Sequence, residues 1–281
     1  MQVIDNITAL KDVIGKKKKK GLRIGLVPTM GFLHEGHLSL MRAAKAENDC
    51  MVVSIFVNPL QFGVGEDYVE YPRDLEGDKK LAAAAGCDLL FSPSVREMYP
   101  RGYATFVEVE RLTNSLCGLS RPGHFRGVTT VVAKLFNLVC PDRAYFGQKD
   151  AQQAFVLQKM VADLNMDLQL IIGPTIREAD GLAMSSRNKY LTPAQRKEAV
   201  TLYKSLQEAE QSIAAGEREA EVLKQAISQR ISAIKGACLD YVEIVDTTEL
   251  CPVLLISGKC LIAVAVRFGQ TRLIDNVIVE V

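Results

Sequence analysis

Between residues 22 and 172, short apolar runs alternate with segments of helical period, and this alternation limits what the 281-residue chain can fold into. The runs at 23–27, 51–57, 89–91, 143–146 and 168–172 carry few polar interruptions. A strand with one wet face alternates apolar and polar side chains, whereas a strand covered on both faces has no need to. Continuous runs of this kind therefore predict a parallel sheet buried between helices. Helices are expected at 34–47, 75–85, 128–139 and 151–164. In the third, Val128, Val131, Val132, Leu135, Leu138 and Val139 fall on one helical stripe.

The second half reads differently. Two amphipathic helices are expected at 193–215 and 219–234, followed by strands at 239–245, 261–268 and 272–279. The fold class is therefore α/β: a Rossmann-like parallel-sheet domain over 1–175, then a smaller α+β domain over 176–281. The polar segment 175–188 is read as the hinge of a lid. Open parallel sheets bind ligands beyond the carboxyl ends of their strands, where the strand order reverses. Three unusual polar loops fall at such ends: 28–37, 58–63 and 147–150.

Charge and cysteine usage exclude several classes. With 34 basic and 33 acidic residues the net charge is +1, which gives no electrostatic case for nucleic acid or an anionic membrane. The one basic run, Lys16 to Lys20, is read as a solvated turn between a first helix and the first strand. The seven cysteines are scattered, with no Cys-x-x-Cys pair, which points to a reducing compartment and hence the cytoplasm. No apolar leader and no membrane-spanning run is evident.

The first loop contains His34-Glu35-Gly36-His37, and these are two of only three histidines in the chain. Residues three apart share a helix face. Both imidazoles can thus flank a helix N-terminus, where unpaired N–H groups and the helix dipole favour an anion such as a phosphate. A zinc half-site lacking its third ligand, or two polar residues at a helix start, would leave the same trace. A second cluster, Met184-Ser185-Ser186-Arg187, supplies hydroxyls and a guanidinium able to grip two phosphate oxygens. A serine capping a helix beside a solvated arginine would look the same.

Together, a His-x-Gly-His turn after the first strand and a Met-Ser-Ser-Arg loop after the nucleotide fold resemble the class I nucleotidyltransferase superfamily. The match narrows with Pro28-Thr29-Met30-Gly31, Asn58-Pro59-Leu60-Gln61-Phe62, Tyr71-Pro72-Arg73, Gly123-His124-Phe125-Arg126-Gly127, Phe146-Gly147-Gln148-Lys149-Asp150 and Glu178-Ala179-Asp180-Gly181-Leu182. In order and spacing, from about residue 4 to the C-terminus, these resemble the pantoate–β-alanine ligase family.

The resemblance implies ATP-dependent condensation of (R)-pantoate with β-alanine through a pantoyl adenylate, with Mg2+ accompanying ATP, in a homodimer. It implies that His37, His34 and Lys149 stabilise charge at phosphorus, His37 as a proton donor. ATP is expected at Met30, Gly31, His34, Gly36, His37, Gly147, Lys149, Asp150, Ile176, Met184, Ser185, Ser186 and Arg187. Asp150 and the Gly147 backbone are expected at the ribose, and backbone near Ile176 and Met184 at the adenine. Pantoate is expected at Pro28, Met30, Asn58, Gln61 and Gln153, with Gln61 also near β-alanine, and the metal at Asp78. Two positions depart from the family pattern, Gln148 and Gly77 standing where an acidic residue is commoner. An adenylyltransferase of the same superfamily acting on a phosphate acceptor is the alternative reading.

Overall fold

The computed structural model describes residues 1–281. By its contacts the chain forms two compact units. The first comprises Met1–Val109, Arg121–Gly147 and Val156–Pro174; the second comprises Glu110–Ser120, Gln148–Phe155 and Thr175–Val281.

The first unit is built on a six-stranded parallel sheet of order β1-β4-β3-β2-β5-β6. Its strands are β1 (Gln2–Ile4), β2 (Ile24–Thr29), β3 (Cys50–Ile55), β4 (Leu89–Phe91), β5 (Arg143–Gly147) and β6 (Gln169–Gly173). All but β1 were legible as apolar runs. Of β1 only Ile4 is buried and Gln2 is polar, so no apolar run marks it, whereas all three residues of β4 are apolar and buried. The helices are α1 (Ile7–Lys19), α2 (Glu35–Glu47), α3 (Leu75–Ala84), α4 (Val95–Met98), α5 (Leu116–Ser120), α6 (His124–Val139) and α7 (Ala151–Asp163). Of these, α5 belongs to the second unit and α7 begins there.

Both faces of the sheet are covered, as the continuous runs require. Val27, Met51, Val53, Leu90 and Tyr145 pack with Leu40, Met41 and Ala44 of α2 and Ala82 of α3. The residues between them, Leu26, Val52, Leu89 and Ala144, are also buried. On that other face, the Phe136 ring of α6 meets Phe146 of β5 edge-on. The lysine run is not a turn: Lys16 to Lys19 form the last turn of α1. They remain at the surface, where their charge complements the helix C-terminus.

The order reverses between β2 and β5, and a proline opens the sheet there. Ile24 directs its N–H and C=O to Asp142, just ahead of β5. By the two-residue alternation of a strand, Pro28 presents to that side the position from which it cannot donate. Pairing of β2 with β5 stops at Leu26, while β2 and β3 stay paired to Thr29. The strand thus tolerates a central proline because its neighbour has already parted from it.

The second unit carries the antiparallel sheet β7-β8-β9, formed by β7 (Ala237–Asp246), β8 (Lys259–Phe268) and β9 (Thr271–Glu280). Against it lie α9 (Thr201–Ala214) and α10 (Ala220–Ser232), after a short α8 (Pro193–Ala199). The helix expected over 193–215 is therefore two pieces, which meet at Val200. Leu206, Ile213, Leu223, Ile227, Ile244 and Ile262 centre its core. No helix is long and apolar enough to cross a membrane.

Candidate active site

The chain leaves β2 through Gly31 and Phe32, both at positive φ (83° and 52°), and enters α2 with His34 as its N-cap. The His34 N–H donates to Nδ1 of His37 at 3.2 Å. Since Nδ1 accepts, the neutral His37 ring carries its proton on Nε2. The imidazole is therefore oriented as a donor at a helix N-terminus. The two rings stack with centroids 4.1 Å apart, tilted by 41°. No group of three His, Cys, Asp or Glu side chains is placed to hold a metal ion, so the pair gains no third zinc ligand. Asp78, in the first turn of α3, is 3% exposed, and its two oxygens accept the N–H groups of Phe32 and Leu33. Burial pushes its carboxyl upward, and the same two hydrogen bonds pull it partly back. At Gly77 a side chain would collide with the Asp74 carboxylate, which caps α3 by accepting the Gly77 N–H.

The loop after β3 is as strongly fixed. Asn58 (1% exposed) begins a 3-10 turn over Pro59–Gln61, donating to Oε1 of Gln61 at 3.1 Å and to the Gly127 carbonyl at 3.0 Å. With its oxygen so engaged, Gln61 points its amide N–H at the Met30 sulfur, 3.1 Å away. Gly127 lets α6 approach closely enough for these contacts; a Cβ there would overlap the Leu60 carbonyl. Tyr99, which the sequence did not single out, donates its hydroxyl to Oδ1 of Asn58 at 2.8 Å, and burial raises its pKa. Arg121 clasps both oxygens of Glu66 at 2.6 and 2.7 Å. Burial alone would raise the Glu66 pKa, but the Arg121 hydrogen bonds and charge bring it down to about 2. The third histidine, His124, has Nδ1 2.8 Å from the Gln61 carbonyl and Nε2 3.0 Å from Arg121. A carbonyl only accepts, so Nδ1 of His124 is the nitrogen that donates to Gln61.

In the second unit, Lys149, Ala183, Ser185, Asn188 and Asp275 line one concavity. Lys149 lies 3.7 Å from the Asp150 carboxylate. Its backbone is held by Asn276, whose amide donates to the carbonyls of Gln148 and Lys149 at 3.0 and 2.9 Å. Within the segment 175–188, residues 176–184 fold as a tight hairpin. Met184 donates to the Ile176 carbonyl, Arg177 bridges Ala183, and Gly181 makes the turn at a φ of 97°. Ser185 then caps the 3-10 turn Ser186–Tyr190 by accepting the Arg187 N–H. That is the capping role open to it in the sequence, and its hydroxyl hydrogen still remains to donate. Ser186 is buried, and Arg187 and Gln153 are half-buried.

Arg177 forms a bidentate pair with Asp275 at 2.7 and 3.0 Å, and its guanidinium stacks 3.6 Å over the Tyr203 ring. Arg196 spans Glu178 and Asp180, holding the Asp180 pKa low. The sequence named none of Tyr99, Asp275 or Asn276 as a support. Only the polar Asp275-Asn276 pair, set in an otherwise apolar stretch of strand, could have drawn notice to the last two.

Residues 2–278 match the family model described as pantoate-beta-alanine ligase. Over 281 residues the chain is 58% identical to a pantothenate synthetase of Moorella thermoacetica, covering all of this chain and 99% of that one. It is 60% identical to one of Acetivibrio thermocellus over the whole of both chains. Among solved structures, a pantothenate synthetase from Thermus thermophilus superposes with a TM-score of 0.94 at 46% identity, covering 99% of each chain. A pantoate-beta-alanine ligase from Francisella tularensis, complexed with beta-gamma ATP and β-alanine, gives 0.81 at 36% identity, covering 99% of this chain and 97% of that one.

Proposed function

The chain belongs to the pantoate–β-alanine ligase family, and from that premise we propose how its residues join (R)-pantoate to β-alanine. The reaction consumes ATP and yields pantothenate, AMP and pyrophosphate. One observation carries the reading: relatives named for this activity match the chain over its whole length at 58–60% identity.

A carboxylate does not react with an amine until its oxygen becomes a good leaving group. In the first step a pantoate carboxylate oxygen attacks the α-phosphorus of ATP, and the bond to pyrophosphate breaks. In the second, the β-alanine amine attacks the acyl carbon of the pantoyl adenylate and AMP departs. No enzyme nucleophile is needed, so orientation and charge stabilisation supply the catalysis. His37 presents Nε2–H to the phosphoryl oxygens as charge builds, with His34 beside it, and Lys149 adds a cation. Ser185, Ser186 and Arg187 grip the polyphosphate. Met30, Gly31 and Gly36 allow its close approach, Gly147 and Asp150 take the ribose, and Ile176 and Met184 take the adenine. Gln61 and Gln153 bind the hydroxyl and carboxylate groups of pantoate. Pro28, Met30 and Asn58 complete that side, with Gln61 also meeting β-alanine.

Magnesium accompanies ATP in this reading, but the protein offers it no cage. Asp78 has both oxygens on backbone N–H groups, and no cluster of three ligating side chains exists. Phosphate and water oxygens suffice as its ligands. Seven free cysteines fit a cytoplasmic setting. The homodimer rests on the family resemblance; sedimentation equilibrium should return twice the 30.9 kDa of one chain.

The deciding experiment measures pyrophosphate and AMP release from Mg-ATP and pantoate, with and without β-alanine. Turnover of AMP only when all three substrates are present is expected. Multiple-turnover AMP release without β-alanine would refute the amine as acceptor.

A further inference from the structure

The loop that delivers the two histidines hangs on one buried carboxylate. Between the end of β2 at Thr29 and the start of α2 at Glu35, the N–H groups of Phe32 and Leu33 lie outside both ladder and helix. Each finds one oxygen of Asp78: Phe32 at 2.9 Å from Oδ2 and Leu33 at 2.7 Å from Oδ1. Successive left-handed residues, Gly31 and Phe32, turn the chain so that neighbouring N–H groups converge on a single anion. A Cβ at Gly31 would stand 2.8 Å from Oδ2 and 2.9 Å from the Ile55 side chain, so glycine is what lets the carboxylate come this near. From Leu33, anchored in the core beside α2, the chain passes directly to His34. The N–H of His34 in turn fixes the His37 ring.

We propose that Asp78 is a positioning residue for the histidine pair, acting through the Phe32 and Leu33 amides, and that it does not ligate the magnesium accompanying ATP. Mg2+ demands near-octahedral oxygens at about 2.0–2.1 Å. A carboxylate drawn to it would have to turn away from the loop it holds. Neighbouring acids supply no substitute: Asp74 is spent on the α3 cap, and Glu76 pairs with Lys79 at 2.7 Å. The loop it serves matters because His34 and His37 face phosphate, so the inference rests on the function proposed above.

Its first test does not depend on activity. Amide hydrogen exchange at Phe32 and Leu33 is compared between the wild type and Asp78→Asn, without nucleotide or metal. Asparagine keeps the size but turns one oxygen into an NH2 that cannot accept. At least tenfold faster exchange is expected at one or both amides; unchanged exchange would overturn the proposal, whatever reaction the enzyme performs. In the same variant, kcat at saturating ATP and pantoate should fall at least tenfold, with the Mg2+ concentration for half-maximal rate unchanged within twofold. A tenfold rise in that magnesium requirement would equally overturn it. Should Asp78→Asn not fold, the wild type decides alone. Protection of both amides should persist when Mg2+ and a non-hydrolysable ATP analogue are added, and its loss would mean that the metal takes the carboxylate.

Discussion

His37 shows how one hydrogen bond can prepare a side chain for chemistry. An imidazole at a helix N-terminus could present either nitrogen, but the His34 N–H occupies Nδ1 and leaves the proton on Nε2. Removing the ring removes that donor and the acceptor of the His34 N–H, but the bonds from His37 and Leu38 to the His34 carbonyl are made by backbone and remain. His37→Ala should therefore fold normally and lose about 10²–10³-fold in the adenylation step, the scale of a lost charge-stabilising donor. Single-turnover formation of pyrophosphate measures it, and a wild-type rate would remove His37 from the mechanism. Gln153→Ala tests the substrate side: the KM for pantoate should rise tenfold or more while that for ATP stays within twofold. The residue types of this site were legible in the motifs, but their orientation was not. Which nitrogen of His37 carries the proton, and which way the Gln61 amide points, depend on partners fixed by folding.

At the scale of elements, the chemistry-bearing loops hang on buried polar pairs whose members are far apart in sequence. Asn58 is oriented by Tyr99, the backbone of Lys149 by Asn276, and the hairpin at 176–184 by Asp275. Such partners carry no local signature, which is why strands and helices could be read from periodicity while these supports could not. The hairpin makes the point quantitatively. Asp275 is 2% exposed and sends both oxygens to Arg177. Arg177→Ala strands that carboxylate in the core and removes the guanidinium from the Tyr203 ring. Breaking a buried pair from one side costs about 3–5 kcal/mol. Urea denaturation should show a loss of that size, with faster amide exchange across 176–184. Arg177→Ala combined with Asp275→Leu should recover much of it, because no charge is then left unpaired. If the single variant lost under about 1 kcal/mol, well below the cost of an orphaned buried charge, the hairpin would owe its shape to its own backbone bonds.

For the whole molecule, the parallel sheet was the most legible feature, because burial on two faces leaves an uninterrupted apolar record in the sequence. Its behaviour toward acid was not, since a surface-looking Glu66 and an Arg121 55 residues later gave no sign of pairing. Their contact ties the loop after β3 to the start of α6, beside the Gln61 carbonyl. Glu66 has an ordinary carboxylate pKa of 4.5 when exposed and about 2 when folded. A depressed folded value means that the unfolded chain binds the proton first as pH falls. The stabilisation is therefore complete above about pH 4.5, declines through the interval down to 2, and is absent below it. With solvent screening allowed for, it amounts to about 2 kcal/mol. Glu66→Gln should accordingly be less stable than wild type by about that amount at pH 7, and the two stability curves should converge as pH falls to about 2. Denaturant melts across this range measure the gap. A gap that stayed constant with pH would mean the glutamine loses packing or a neutral hydrogen bond, and that the Glu66 charge contributes nothing. A gap that widened on acidification would reverse the sign of the linkage and place the pKa above 4.5, contrary to the bidentate contact with Arg121.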